Sequence, residues 1–200
     1  MTKLVLAVTG ASAQPIAERS IELLLSNGID LHLILSRGAY EVWNSENNIQ
    51  VPLDPIRQSL FWSERLNISS NQLTCHKWND NSASIASGSI KTKGMVIVPC
   101  TMGTLGRIAN GFSLDLIERC ADVHLKENRK LILAPRESPF NLIHLRNMTK
   151  LCESGASIVP IIPAWYTKPK TLQEMIDFVV VRLFDSLDLD LKHINRWKAV

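Results

Sequence analysis

The segment Gly94-Met-Val-Ile-Val-Pro-Cys-Thr-Met-Gly-Thr-Leu-Gly-Arg-Ile-Ala-Asn-Gly111 changes character at its middle. Its first part is an apolar, β-branched run without polar alternation, the pattern of a strand buried on both faces of a parallel sheet. The run stops at Pro99. Thr101, Gly103 and Thr104 then supply small or hydroxyl-bearing residues before a helical pattern begins. A buried strand ending in such a loop aims N–H groups and hydroxyls at a ligand, most simply a phosphate. A turn that only reversed the chain would not need so many donors in so short a space.

The same unit recurs on both sides of this segment. Residues 3–8 read as a buried strand and residues 13–26 as a helix with Pro15 in its first turn, where proline is tolerated. Residues 31–35 form a second apolar strand that ends at Ser36, with a helix from Arg37 to about Asn44. Residues 46–93 are polar and rich in asparagine and serine, with one amphipathic helix near 55–62 and an irregular loop around 82–89. Residues 95–98 are a strand, and residues 113–127 a helix capped by Ser113 with Asp115 in its first turn. A strand at 131–134 precedes a helix opened by Ser138-Pro139 and reaching Cys152, and a strand at 157–160 follows. Thr171 and Glu174 have capping-box spacing at the head of a last helix ending near Leu187. This alternation predicts right-handed βαβ units and an α/β fold, a doubly wound parallel sheet in a three-layer, flavodoxin-like or Rossmann-like sandwich. Residues 1–187 are then one domain, and residues 188–200 a polar tail that closes the site or packs on a neighbouring subunit.

Bulk properties remove several classes. Two hundred residues, 46% hydrophobic and 20% charged, suit one soluble globular domain. The formal charge of +3 is slight and the basic residues are scattered, so no nucleic-acid partner is expected. Cys75, Cys100, Cys120 and Cys152 are far apart, form no CxxC and pair with no histidine, which favours reduced thiols over disulfides or zinc. The histidines show no metal-ligand spacing. Leu4 to Val8 followed by Ala11-Ser12-Ala13 imitates an export signal, but the apolar run is too short for one. No segment is long enough to span a bilayer. A cytoplasmic protein without a membrane partner is expected.

In a doubly wound sheet the ligand lies outside the carboxyl ends of the strands. Those ends are Thr9-Gly10-Ala11-Ser12, Ser36-Arg37, residues 99–104 and Pro135-Arg136-Glu137. Small residues in the first turn let a ligand approach the backbone, and Ser12 can cap the helix or donate to a bound group. Neither GxGxxG nor the Gly-Lys-Ser/Thr of a P-loop is present, so neither a standard dinucleotide site nor an NTPase is supported. A short-chain dehydrogenase would use Tyr166 and Lys170 on one helix face, but Pro169 between them breaks that helix. Arg136 beside Glu137 is ordinarily a surface ion pair. At a strand's carboxyl end, the arginine can instead grip phosphate bidentately and the carboxylate can exchange protons. Tyr166, Lys168 and Arg182 form either solvated surface or a second anion site. Trp43, Trp62, Trp78 and Trp165 read as packing residues, whereas Trp197, isolated in the tail, needs a groove on this or another subunit.

Taken in order along nearly the whole chain, Thr9-Gly10-Ala11-Ser12, Ser36, Ala86-Ser87-Gly88-Ser89, Pro99-Cys100-Thr101-Met102-Gly103-Thr104-Leu105, Ile117-Glu118-Arg119, Ala121-Asp122-Val123, Leu125-Lys126-Glu127, Pro135-Arg136-Glu137, Ile143-His144-Leu145, Asn147-Met148 and Tyr166 resemble the UbiX family of flavin prenyltransferases. The resemblance implies a flavodoxin-like, FMN-binding subunit in a homo-oligomer, typically a dodecamer built from trimers. It also implies a metal-independent transferase. Reduced FMN and dimethylallyl phosphate give phosphate and FMN prenylated at N5 and C6, the cofactor of a partner decarboxylase of the UbiD type in ubiquinone or aromatic-acid metabolism.

Carried over by position, Gly10, Ala11, Ser12, Ser36, Thr101, Met102, Gly103, Thr104 and Arg136 would hold FMN. Ser87, Arg119, Lys126, Arg136, Glu137, Tyr166 and Arg182 would surround dimethylallyl phosphate, and Trp197 would close the pocket. Ser12, Glu46, Glu137 and Lys126 would be catalytic, Ser12 and Glu46 by moving protons near the flavin. These residue types suit the reaction. Breaking an allyl–phosphate bond builds negative charge that Arg and Lys stabilise in place of a metal, and bond formation to the flavin requires proton transfers that carboxylates perform. Three positions depart from the family's usual pattern: Ala13 replaces a glycine, Asn81 an aromatic residue and Thr101 a serine.

Two other functions compete. FMN-dependent cysteine decarboxylases share the fold but rely on a catalytic histidine and a Pro-x-Met-Asn segment, where this chain has Pro-Arg-Glu-Ser-Pro. A non-catalytic FMN carrier would need one phosphate site, not the additional cations Arg119, Lys126 and Arg182.

Overall fold

The computed structural model of the chain describes residues 2–192. Six strands, β1 (Lys3–Val8), β2 (Asp30–Leu35), β3 (Leu73–His76), β4 (Gly94–Cys100), β5 (Lys130–Pro135) and β6 (Ser157–Ile158), form one sheet in the order β3-β2-β1-β4-β5-β6. Every pairing is parallel. Helices α1 (Gln14–Ser26), α2 (Arg37–Asn47), α3 (Pro55–Leu66) and α7 (Leu172–Asp185) cover one face, and α4 (Met102–Ala109), α5 (Leu116–Lys126) and α6 (Leu142–Glu153) the other. Successive strand residues point to opposite faces, and both faces are covered, which is why the strands are continuously apolar. Leu4, Leu6, Val8, Val96 and Val98 meet Trp43, Trp62 and Phe184 on one side. Val5, Ala7, Met95 and Ile97 meet Leu105, Ile117 and Leu151 on the other.

The doubly wound sheet is the expected one, but several boundaries move. β4 continues through Pro99 to Cys100, because its register with β5 shifts after Ile97 and so accommodates a residue with no N–H. Thr101 is the N-cap of α4, so Gly103 and Thr104 lie in a helical first turn rather than in a loop before it. The helix expected over 113–127 is α5, which starts later, at Leu116, and Asp115 rather than Ser113 caps it by accepting the Glu118 N–H at 2.9 Å. Ser138-Pro139 does not open α6; Asn141 does, in a capping box with His144. β3 was not anticipated, and β6 has two residues rather than four. The Thr171–Glu174 capping box at the head of α7 is as expected.

Trp43 and Trp62 are fully buried, but Trp165 is 72% exposed and does not pack in the subunit core. Cys75, Cys100 and Cys120 are buried free thiols, and burial pushes each up to about 12. None forms a thiolate near neutral pH. Of residues 188–200, the described part packs at the amino edge of the sheet. Asp188 pairs with Lys130, and the Lys192 N–H donates to Asn27 Oδ1 at 2.7 Å. Trp197 lies outside the described residues.

Candidate functional site

The strand order reverses between β1 and β4, and a doubly wound sheet opens its ligand crevice at that reversal, outside the carboxyl ends of the strands. Thr9 ties the two ends together there. Its N–H (3.1 Å) and hydroxyl (2.8 Å) both donate to the Pro99 carbonyl, and its hydroxyl accepts the Thr101 N–H at 2.8 Å. Nothing in the sequence marked Thr9 as more than a turn residue. On the β2 side, a Cβ on Gly10 would lie 2.9 Å from the Gly38 backbone, so only glycine lets the first turn rest against the start of α2. Three helix N-termini therefore converge on the crevice.

Each N-terminus has its own donors. Ser36 caps α2 by accepting the Ala39 N–H at 3.2 Å, which leaves its hydroxyl proton available. Thr101 caps α4 by accepting the Thr104 N–H at 3.1 Å. The first N–H groups of that helix, at Met102 and Gly103, have no intrahelical acceptor and suit an anion. Ser12 does not cap α1. The N-cap is Ala13, which makes no side-chain cap, and the Ser12 hydroxyl instead donates to Glu46 Oε2 at 2.7 Å. From β5, the Arg136 Nε donates to the Ser12 carbonyl at 2.9 Å, which fixes its guanidinium beside the first turn. Glu137 accepts the Ser138 N–H at 3.0 Å. Gly10, Ala11, Ser12, Ser36, Glu46, Thr101, Met102, Gly103, Thr104, Arg136 and Glu137 thus share one edge of the sheet.

Of the other sequence-predicted residues, Arg119 and Tyr166 follow near the carboxyl edge, in the first turn of α5 and after β6, whereas Lys126, Ser87 and Arg182 lie away from it. Lys126 is the last residue of α5, which spans about 15 Å from the carboxyl edge toward the amino edge, where Lys130 opens β5. The neighbouring Gly88 packs against Glu127, so Ser87 accompanies Lys126. Arg119 is held on α5 by the Ala86 carbonyl (3.1 Å) and Asp122 (2.9 Å). Arg182 lies in the last turn of α7, on the opposite face of the sheet from α5. The end of α7 reaches the amino edge, where Lys130 donates to the Ser186 carbonyl. Tyr166 follows β6 and packs edge-on against Phe178 of α7. Asn81 is exposed.

A second pair went unrecognised in the sequence. The Glu118 side chain, 1% exposed, is paired with Arg107, and the Arg107 Nη2 donates to Thr104 Oγ1 at 3.2 Å. The available signal was a carboxylate inside the apolar face of a helix, since such a group must find a counter-charge when buried.

An α/β sheet with hydroxyl-bearing helix N-termini and one anchored arginine at its switch point defines a flavoprotein-type nucleotide site. Residues 1–184 match the Flavoprotein family. The chain is 46% identical to the flavin prenyltransferase UbiX of Synechocystis sp., over 98% of this chain and 96% of that protein. It superimposes with a TM-score of 0.86 on AnUbiX in complex with FMN and dimethylallyl pyrophosphate, at 36% identity over 100% and 98% of the two chains. With a dodecameric FMN-dependent UbiX-like decarboxylase from Escherichia coli O157:H7 the TM-score is 0.83, at 34% identity over 99% and 100%. The chain belongs to the UbiX flavin prenyltransferase family. Among the described residues no helix is long and apolar enough to cross a membrane.

Proposed function

We propose that this protein is a flavin prenyltransferase. It joins the dimethylallyl group of dimethylallyl phosphate to N5 and C6 of reduced FMN, releases phosphate and supplies prenylated FMN to a UbiD-type decarboxylase in the cytoplasm. The observation that carries this is the Glu46–Ser12–Arg136 connection at the switch point, in a chain that aligns end to end with flavin prenyltransferases.

The crevice fits FMN on its own chemistry. It offers unpaired helix N–H groups, the Ser36 and Thr104 hydroxyls and the Arg136 guanidinium around turns kept small by Gly10 and Ala11. Reduced FMN, when bound, supplies the nucleophilic atoms that accept the prenyl group. The chain's residues do the rest. Ser12 and Glu46, hydrogen-bonded at 2.7 Å, relay a proton between the crevice and solvent-exposed Glu46. Glu137, next in sequence to the anchored Arg136, exchanges protons with the departing phosphate, whose developing charge Arg136 stabilises. Arg119 and Tyr166 complete the phosphate clamp together with Ser87, Lys126 and Arg182 of neighbouring copies in a homo-oligomer of the dodecameric kind, since α5 and α7 carry Lys126 and Arg182 away from the crevice of their own copy.

Anaerobic incubation with reduced FMN and dimethylallyl phosphate is expected to yield a flavin heavier by a five-carbon prenyl unit. Mass spectrometry that finds only unmodified FMN bound to the protein would refute the transferase and establish a carrier.

A further inference from the structure

Resting on FMN binding at the switch point, we propose that Arg107, held by the buried carboxylate of Glu118, is a positioning residue that fixes the Thr104 hydroxyl for FMN.

Thr104 is 5% exposed and sits in the first turn of α4. Its oxygen is 3.0 Å from Thr101 Oγ1, which already accepts the Thr104 N–H. It is also 3.2 Å from Arg107 Nη2. A guanidinium only donates, so the Thr104 oxygen is an acceptor on that side. With Thr101 donating on the other side, both lone pairs of Thr104 Oγ1 are filled. Its own proton is the one hydroxyl proton of the pair left for a ligand, and its direction is fixed by the other two bonds. Thr101 is spent as cap and donor; Thr104 is aimed.

Arg107 could not hold this geometry from solvent. Its side chain is 41% exposed, and long exposed side chains sample many rotamers. Glu118 removes that freedom. One carboxylate oxygen pairs with Arg107 Nε, and the other accepts the Leu114 N–H at 2.8 Å, so α5 and the turn before it define where the guanidinium sits. The guanidinium also lies against Gly103, where an added Cβ would come within 3.3 Å of Nη1. A buried ion pair contributes little net stability, because desolvation offsets the attraction, so its retention here fits a role in orientation.

Replacing Arg107 alone would strand a buried carboxylate and threaten the fold, so the test uses Arg107→Met/Glu118→Gln, Thr104→Val and the triple variant. FMN dissociation constants are measured by flavin fluorescence quenching, with circular dichroism to confirm folding. One oriented hydrogen bond corresponds to about a tenfold rise in Kd for Thr104→Val and for Arg107→Met/Glu118→Gln. The triple variant should bind no more weakly than either, since both changes remove the same aimed proton. A folded Arg107→Met/Glu118→Gln variant with the wild-type Kd would overturn the assignment. So would a triple variant in which the two losses multiply, because Arg107 would then act independently of Thr104. Wild-type protein that fails to bind FMN would instead contradict the underlying flavin site.

Discussion

Ala13 has φ 147° and ψ 33°, a region open to glycine and costly for a side chain. It stands between Ser12, whose hydroxyl and carbonyl engage Glu46 and Arg136, and the buried Gln14 that starts α1. Both neighbours are held, so Ala13 takes the leftover dihedral angles. Such strain costs about 1–3 kcal/mol, while alanine regains about 0.4–1 kcal/mol by restricting the unfolded chain. Ala13→Gly is therefore expected to stabilise the protein by about 1 kcal/mol and to raise the melting temperature by about 2–4 °C at fixed protein concentration. Calorimetry showing a lower melting temperature would mean the turn relaxes around alanine. The sequence marked this position through its departure from the family's usual glycine. It could not show the dihedral angle, which is set by contacts from α2 and β5, remote in sequence.

The elements that the sequence revealed are those whose patterns are local. Long apolar runs identified β1, β2, β4 and β5, and Thr171 with Glu174 marked α7. β3 escaped because it has four residues at the sheet's edge, where only Leu73 and Cys75 are buried and alternation is too brief to detect. Its pairing with β2 contains a titratable contact. His32 Nδ1 lies 2.9 Å from His76 Nε2, with the rings stacked at 5.2 Å. Burial, reinforced by His32, lowers His76 to about 4, and burial also lowers His32 against the pull of Asp30. The unfolded chain protonates these histidines near their ordinary value of about 6.5, whereas the folded edge resists the proton. Their stabilising contribution is present above about pH 6.5 and is lost as pH falls toward 4. Urea midpoints should fall across that window, and His76→Gln should flatten the dependence. An equally steep profile in His76→Gln would assign the acid sensitivity to other groups.

The whole molecule explains why the sequence could name the candidate site but not assemble it. Strand ends connected by short turns share one edge, so residues 10–12, Ser36, residues 101–104 and Arg136 group together from topology alone. Lys126 and Arg182 sit near the carboxyl ends of helices that run back along opposite faces, and no connection returns either to the crevice. If the phosphate clamp is built between copies, a crevice draws Glu137 from one copy and Lys126 from another. Glu137→Gln and Lys126→Met homo-oligomers should then retain FMN but each lose about a hundredfold or more in turnover, as expected for removing a general acid–base or a charge-stabilising group. Co-assembly of the two inactive variants in equal amounts would restore about a quarter of the crevices, since each restored one needs the intact residue from both neighbours. The comparison uses co-purified mixed oligomers against mixtures of preformed homo-oligomers. Recovery confined to the mixed assemblies supports a clamp shared between copies. Mixed assemblies as inactive as their parents would place both residues in one copy's crevice, which requires α5 to move far from the position it occupies along the sheet.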